Sequence, residues 1–349
     1  MRGRPYGRVV ESIGHSVVDA HAHTVPLALL EEVAQRSDLD GVSARKLERG
    51  WAIEFPGAGT TVVAPFLSKS ELREEYRTRT GIDGQLLSPW DGVLPTPGMS
   101  AADARSWAHR VNEAVLAEAG GAGPGTLAVV ALDDPEQAAK DLESAVVHDG
   151  MAGLAFSTNP VHCHDLADRR LDPLWAAVEG LGVPVLVHPP SIGPAAQGLP
   201  DSADFANAYC RLVDTTFGFA RLILSGALDR FPRLRLITVH GGGFLPYQAG
   251  RLDGAHRSER LSSYTIDRDR PSDYLGDLYF DTVTMTPDAI RYLVDTAGSE
   301  HVLLGTDFPF PLGDPQPVER VREAGLAADV TTAVLGGNLD RLLTRSARA

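Results

Sequence analysis

The chain has 349 residues, 43% hydrophobic and 22% charged, an ordinary make-up for a soluble globular enzyme and enough for one large domain or two smaller ones. Its formal net charge of −14 argues against a general binder of nucleic acid or of an anionic membrane, since neither surface attracts an acidic protein. Two cysteines, Cys163 and Cys210, cannot build a disulfide framework, and no window approaches the roughly 18 apolar residues of a membrane span, so a soluble cytoplasmic protein is expected.

The basic N-terminus lacks the apolar core of a secretory signal. Strand signals then run in order through "VVDAHAH" (17–23), "GIDGQLLSP" (81–89), "TLAVVAL" (126–132) and "AGLAFST" (152–158). They continue with "VPVLVHP" (183–189), "RLRLITVHGG" (233–242), "DLYFDTV" (277–283) and "HVLLGTDFP" (301–309). Amphipathic helical stretches separate them, for example 101–120, 134–150 and 172–182. Several of the strands are apolar without alternation, as strands buried on both faces are. Eight strands alternating with helices predict a (β/α)8 TIM-like barrel, and no Gly-rich dinucleotide loop follows the first strand to favour an open sheet. The expected organisation is a single barrel domain over 1–349. Residues 27–70 and 256–275 read as insertions in βα loops, forming a lid over the C-terminal face.

Polar residues recur at the strand ends. In an extended strand His21 and His23 point to the same side, with Ala22 on the other. His188 closes the fifth strand, His240 the sixth and Asp307 the eighth. A barrel brings these ends to one mouth, where catalytic groups sit. Four histidines and an aspartate there fit a divalent-metal site with a neighbouring general base.

The segments "DAHAH", "VLVHPP", "ALDRFPRLRLITVHGGGFLPYQAGR" (227–251) and "LLGTDFPFPLGD" (303–314) carry a resemblance to the amidohydrolase superfamily. More narrowly, the chain resembles the branch around 2-amino-3-carboxymuconate-6-semialdehyde decarboxylase. The resemblance implies that His21, His23, His188 and Asp307 ligate one divalent metal, with His240 as general acid/base and Asp307 also in the catalytic set. Zinc ranks first on ligand type, and manganese or iron accept the same residues. A homodimer acting on a small-molecule substrate is also implied.

Two absences qualify this picture. The fourth strand, "AGLAFST", offers no lysine to bridge two metals, although "VHCHDL" just after it presents His162 and His164 as ligands of a second metal, against the plainer reading of a surface loop. The family arginine that holds a substrate carboxylate has no counterpart in "GWAIEFPGAGTTVV" (50–63), leaving Arg45, Arg49 and Arg73 as neighbours only. Arg251, Phe308 and Trp51 are the expected substrate contacts, each against a structural alternative of salt bridging or core packing. Asp19 and Asp281 are candidates to support the ligand histidines, Asp281 against the plainer reading that it caps a loop.

The leading expectation is therefore a metal-dependent, non-oxidative decarboxylase of an aromatic or unsaturated carboxylic acid. The alternative is a hydrolase of an amide, ester, thioester or lactone that uses metal-activated water.

Overall fold

In the computed structural model, which describes residues 16–36, 39–120, 123–163, 165–197, 205–261 and 263–344, the chain opens with a wholly buried strand, β1 (Val18–Thr24). Helix α1 (Leu27–Gln35) follows, then an antiparallel sheet of β2 (Ser43–Lys46), β3 (Trp51–Phe55) and β4 (Gly59–Val63). The Val25 amide bonds the Leu67 carbonyl at 2.9 Å, so this segment leaves and rejoins the chain at one end of β1. It stands at the mouth, where an insertion over 27–70 was expected.

Helix α2 (Ser70–Thr80) then leads to β5 (Gly84–Pro89), and α3 (Ala101–Ala119) to β6 (Leu127–Ala128). Helix α4 (Pro135–Val147), β7 (Gly153–Ser157), α5 (Asp172–Leu181) and β8 (Pro184–His188) continue the alternation. Next come α6 (Arg211–Leu224), α7 (Ala227–Arg230), β9 (Arg235–Thr238), α8 (Leu245–Arg257), β10 (Tyr279–Asp281), α9 (Pro287–Ala297) and β11 (Val302–Leu303).

Every pairing among the barrel strands is parallel: β1 with β5, and β6 through β11 in sequence. A bridge from Leu87 to Thr126 joins β5 to β6. At the other seam Ala20 bonds the Leu304 carbonyl at 2.8 Å and His23 bonds the Phe308 carbonyl at 2.7 Å, joining the first strand to the last. Eight parallel strands thus close into the expected ring. Along β7 and β8 alternate residues separate, with Ala155 and Leu186 packing into the barrel interior and Leu154, Phe156, Val185 and Val187 against the helices. That two-sided burial explains the unbroken apolar runs.

One expectation is corrected. Residues 256–275 run from the last turn of α8 towards β10, so they connect a helix to the next strand at the end of the barrel opposite the mouth. Helix α8 begins at Leu245, directly after the glycine run, so the βα connection is already complete before residue 256.

Candidate metal centre

The run that buries β1 also sets its chemistry. His21 and His23 are both fully enclosed, and their Nε2 atoms lie 3.0 Å apart. His21 donates from Nδ1 to Asp281 Oδ2 at 2.7 Å, which fixes its tautomer and turns the Nε2 lone pair inward. Asp281 is itself held, because its Oδ1 accepts the amides of Gly241 at 2.8 Å and Val283 at 3.1 Å. A Cβ at Gly305 would sit 2.7 Å from the Asp281 Cβ, so the last strand must carry glycine where it passes this carboxylate.

Asp19 lies below the histidines on the same strand. It accepts the His21 amide (2.9 Å), the Gln85 amide group (2.7 Å) and the Thr306 hydroxyl (2.6 Å). Burial pushes its carboxyl up to about 6 despite these three donors. It braces the seam between β1 and β11 and supports the backbone that carries His21.

Asp307 reaches the histidines from that seam, its Oδ1 standing 3.4 Å from His21 Nε2 and 3.3 Å from His23 Nε2. Its Oδ2 faces His240 Nε2 at 3.4 Å. His188 closes the group from β8, with ring centroids 4.7 Å from His23 and 5.3 Å from both His21 and His240. Asp307 and His240 both adopt left-handed backbone, with φ of 55° and 56°. Such geometry costs non-glycine residues about 1–3 kcal/mol and concentrates where function requires it.

The donor set fits a cation. One atom from each of His21, His23, His188 and Asp307 lies within 4.8 Å of the others, and all four residues are buried. Ligands about 2.0–2.2 Å from one ion stand roughly 3.0–3.5 Å apart, the spacing seen among His21, His23 and Asp307. Both nitrogens of His188, Nδ1 of His23 and Oδ1 of Asp307 are enclosed without a hydrogen-bond partner. Buried polar atoms seldom go unpaired, and a cation among these four side chains would satisfy them together. Burial holds His23 and His188 below the ordinary imidazole range, in the neutral form a metal needs. For Asp307 burial acts to raise the carboxyl, but the surrounding His21, His23 and His240 more than reverse it, keeping the carboxylate ionised.

The remaining sequence expectations separate. Phe308 is a core residue, 8% exposed and packed on Tyr76 at 4.8 Å. Its neighbour Phe310 faces the centre instead, 5.5 Å from the His23 ring, with Phe66 at 6.0 Å and Trp90 at 6.4 Å behind it. Trp51 is buried in the β2–β4 sheet beneath Lys46. Arg251 is exposed midway along α8, with no ion pair among the described residues, and so faces solvent rather than the buried cluster. Arg73 is committed to Glu118 and Thr24, and Arg45 lies 3.8 Å from Glu54 on the surface. His162 pairs with Asp133 at 3.0 Å, apart from the four ligands, and His164 lies outside the described residues.

Comparison with known proteins agrees with this geometry. The chain is 27% identical over 214 residues to 2-amino-3-carboxymuconate-6-semialdehyde decarboxylase of Dictyostelium discoideum, covering 58% of this chain and 56% of that protein. It therefore aligns with little more than half the length of that relative. It is 30% identical over 256 residues to gamma-resorcylate decarboxylase of Rhizobium radiobacter, covering 66% and 73%. Among solved structures it resembles 5-carboxyvanillate decarboxylase from Sphingomonas paucimobilis, with a TM-score of 0.76 at 22% identity over 95% of this chain and 100% of that one. The 5-carboxyvanillate decarboxylase of Novosphingobium aromaticivorans, complexed with manganese and 4-hydroxy-3-methoxy-5-nitrobenzoic acid, gives 0.73 at 20% identity over 95% and 96%. The amidohydrolase family model matches residues 18–345, and the chain belongs to that family.

Proposed function

We propose that this chain is a metal-dependent, non-oxidative decarboxylase of an aromatic or unsaturated carboxylic acid. The observation that carries the reading is His240, whose Nε2 stands 3.4 Å from Asp307 Oδ2 at the edge of a buried three-histidine, one-aspartate cluster. The decarboxylases among its relatives and fold neighbours support the same chemistry.

One divalent ion held by His21, His23, His188 and Asp307 would supply positive charge at the substrate oxygens. Zinc fits the ligand types best, and manganese is the ion named for the Novosphingobium neighbour. Phe310, backed by Phe66 and Trp90, forms an apolar wall against which a planar substrate lies. As the bond to the carboxyl group breaks, its electron pair stays on the substrate carbon and carbon dioxide departs. His240 Nε2 then delivers the proton that takes its place, and Asp307 stabilises the charged imidazole.

The wider reading is a single barrel domain over 1–349, lidded by 27–70 and working as a cytoplasmic homodimer. The free thiols Cys163 and Cys210 support a reducing compartment. Exposed Phe217 on α6 and Tyr247 on α8 support a face that a second copy covers.

Carbon dioxide release from hydroxybenzoic and unsaturated dicarboxylic acids by metal-loaded protein tests the reaction. His240→Asn should lower that rate by about a thousandfold or more with metal content unchanged. Acid or alcohol release from an ester without carbon dioxide would instead make the chain a hydrolase.

A further inference from the structure

Several arginines across the fold are neutralised by carboxylates. Arg73 is paired with Glu118, Arg110 with Glu32 and Asp40, Arg221 with Asp165, and Arg320 with Asp314. Arg211 differs: it is half-buried and has no carboxylate partner among the described residues. Its Nη1 donates to Asn207 Oδ1 at 3.1 Å, and its Nη2 makes only a long contact, 3.4 Å, with the Ser191 carbonyl. The Nε atom is enclosed with no acceptor among the described residues.

The position is equally specific. Arg211 begins α6, directly after a π-turn over Ala206–Cys210, an irregularity frequent at functional sites. Ser191 lies three residues beyond the ligand His188. Its amide and hydroxyl clamp Asp91 at 2.6 and 2.8 Å, next to Trp90 of the aromatic wall. On the other side, a Cβ at Gly243 would come within 2.4 Å of the Leu212 carbonyl, and the Phe244 amide bonds Thr216 at 2.8 Å. Helix α6 is therefore pressed against the loop that carries His240. Arg211 stands on the rim between the two loops that follow His188 and His240.

A half-buried guanidinium held only by neutral acceptors is poorly satisfied, and its planar fork matches a carboxylate. We infer that Arg211 binds a second carboxylate of the substrate, remote from the group the metal centre takes. The inference rests on the reading of the centre as an acid-binding site, and it makes the preferred substrate a dicarboxylate. A contact far from the reacting carbon is made equally before and during the reaction, so Arg211 acts on KM rather than kcat.

The test compares binding of isophthalate and benzoate to metal-loaded wild type, Arg211→Gln and Arg211→Lys by calorimetry, with metal content measured in parallel. The expected result is about 10- to 100-fold weaker isophthalate binding in Arg211→Gln, benzoate binding and metal content unchanged, and partial recovery in Arg211→Lys. Equal loss for both acids, or no loss for either, overturns the inference by making Arg211 structural or idle. If Arg211→Gln fails to fold, the isophthalate preference of Arg211→Lys decides: reduced but present supports the inference, unchanged overturns it. If neither acid binds wild type, the acid-binding reading itself fails and the inference falls with it.

Discussion

Two His-x-His stretches in this chain share a spacing and little else. In "HAH" the first two ligands lie on a buried strand, and Asp281, Asp307 and His188 come to meet them from three other strand ends. In "HCH" the first histidine lies on a loop, with φ of 64°, and turns to Asp133 at 3.0 Å. The strand forces both imidazoles to one side and burial removes competing water, so the spacing becomes a ligand pair. On the loop nothing fixes the direction, and a nearby carboxylate satisfies the ring. Spacing acquires chemical meaning only from the element that carries it.

The sharpest way to break this contrast is to count metal. His23→Ala should reduce metal from about one per chain to nearly none, whereas His162→Ala should leave the count unchanged. Loss of metal in His162→Ala would restore the loop as a second site. Next in size is Asp281→Ala, which keeps all four ligands but frees the His21 ring. Metal affinity, read by chelator competition, should fall about 10- to 100-fold.

The paired phenylalanines divide core from site in the same manner. Phe308→Ala should cost about 3 kcal/mol in denaturant unfolding, while Phe310→Ala should cost clearly less and act mainly on substrate KM. The smallest expected effect concerns Cys163 in the loop. Burial, reinforced by Asp168, pushes its thiol up to about 11, so the reactive thiolate is scarce at neutral pH and grows as pH rises. Alkylation at pH 7 should be slow and should accelerate towards pH 10. Fast labelling at pH 7 would show that the loop is open.

Much of this was legible from residues alone. The eight barrel strands fall where their apolar runs are, and the four ligands sit at strand ends, because a parallel barrel must bury both faces and gather its C-terminal edges. Strand length was not legible. The run expected over 301–309 forms a regular strand only at Val302–Leu303, since Asp307 leaves extended geometry to reach the histidines. Which of Phe308 and Phe310 faces the centre depends on that same distortion, so no alternation rule could assign it. Arg211 left no motif at all, because its significance lies in having no carboxylate partner among the described residues, which only packing reveals. The 256–275 segment was misplaced for want of a signal marking where α8 begins.

The seam between β1 and β11 has a consequence for biosynthesis. His21 and Asp307 come from the first strand of the barrel and the segment after its last, yet both are needed in one coordination shell. A nascent chain therefore carries its three ligand histidines without the carboxylate until Asp307 has been made, and no shortened product ending before residue 307 can assemble the full ligand set. Metal capture becomes a report that the ring has closed.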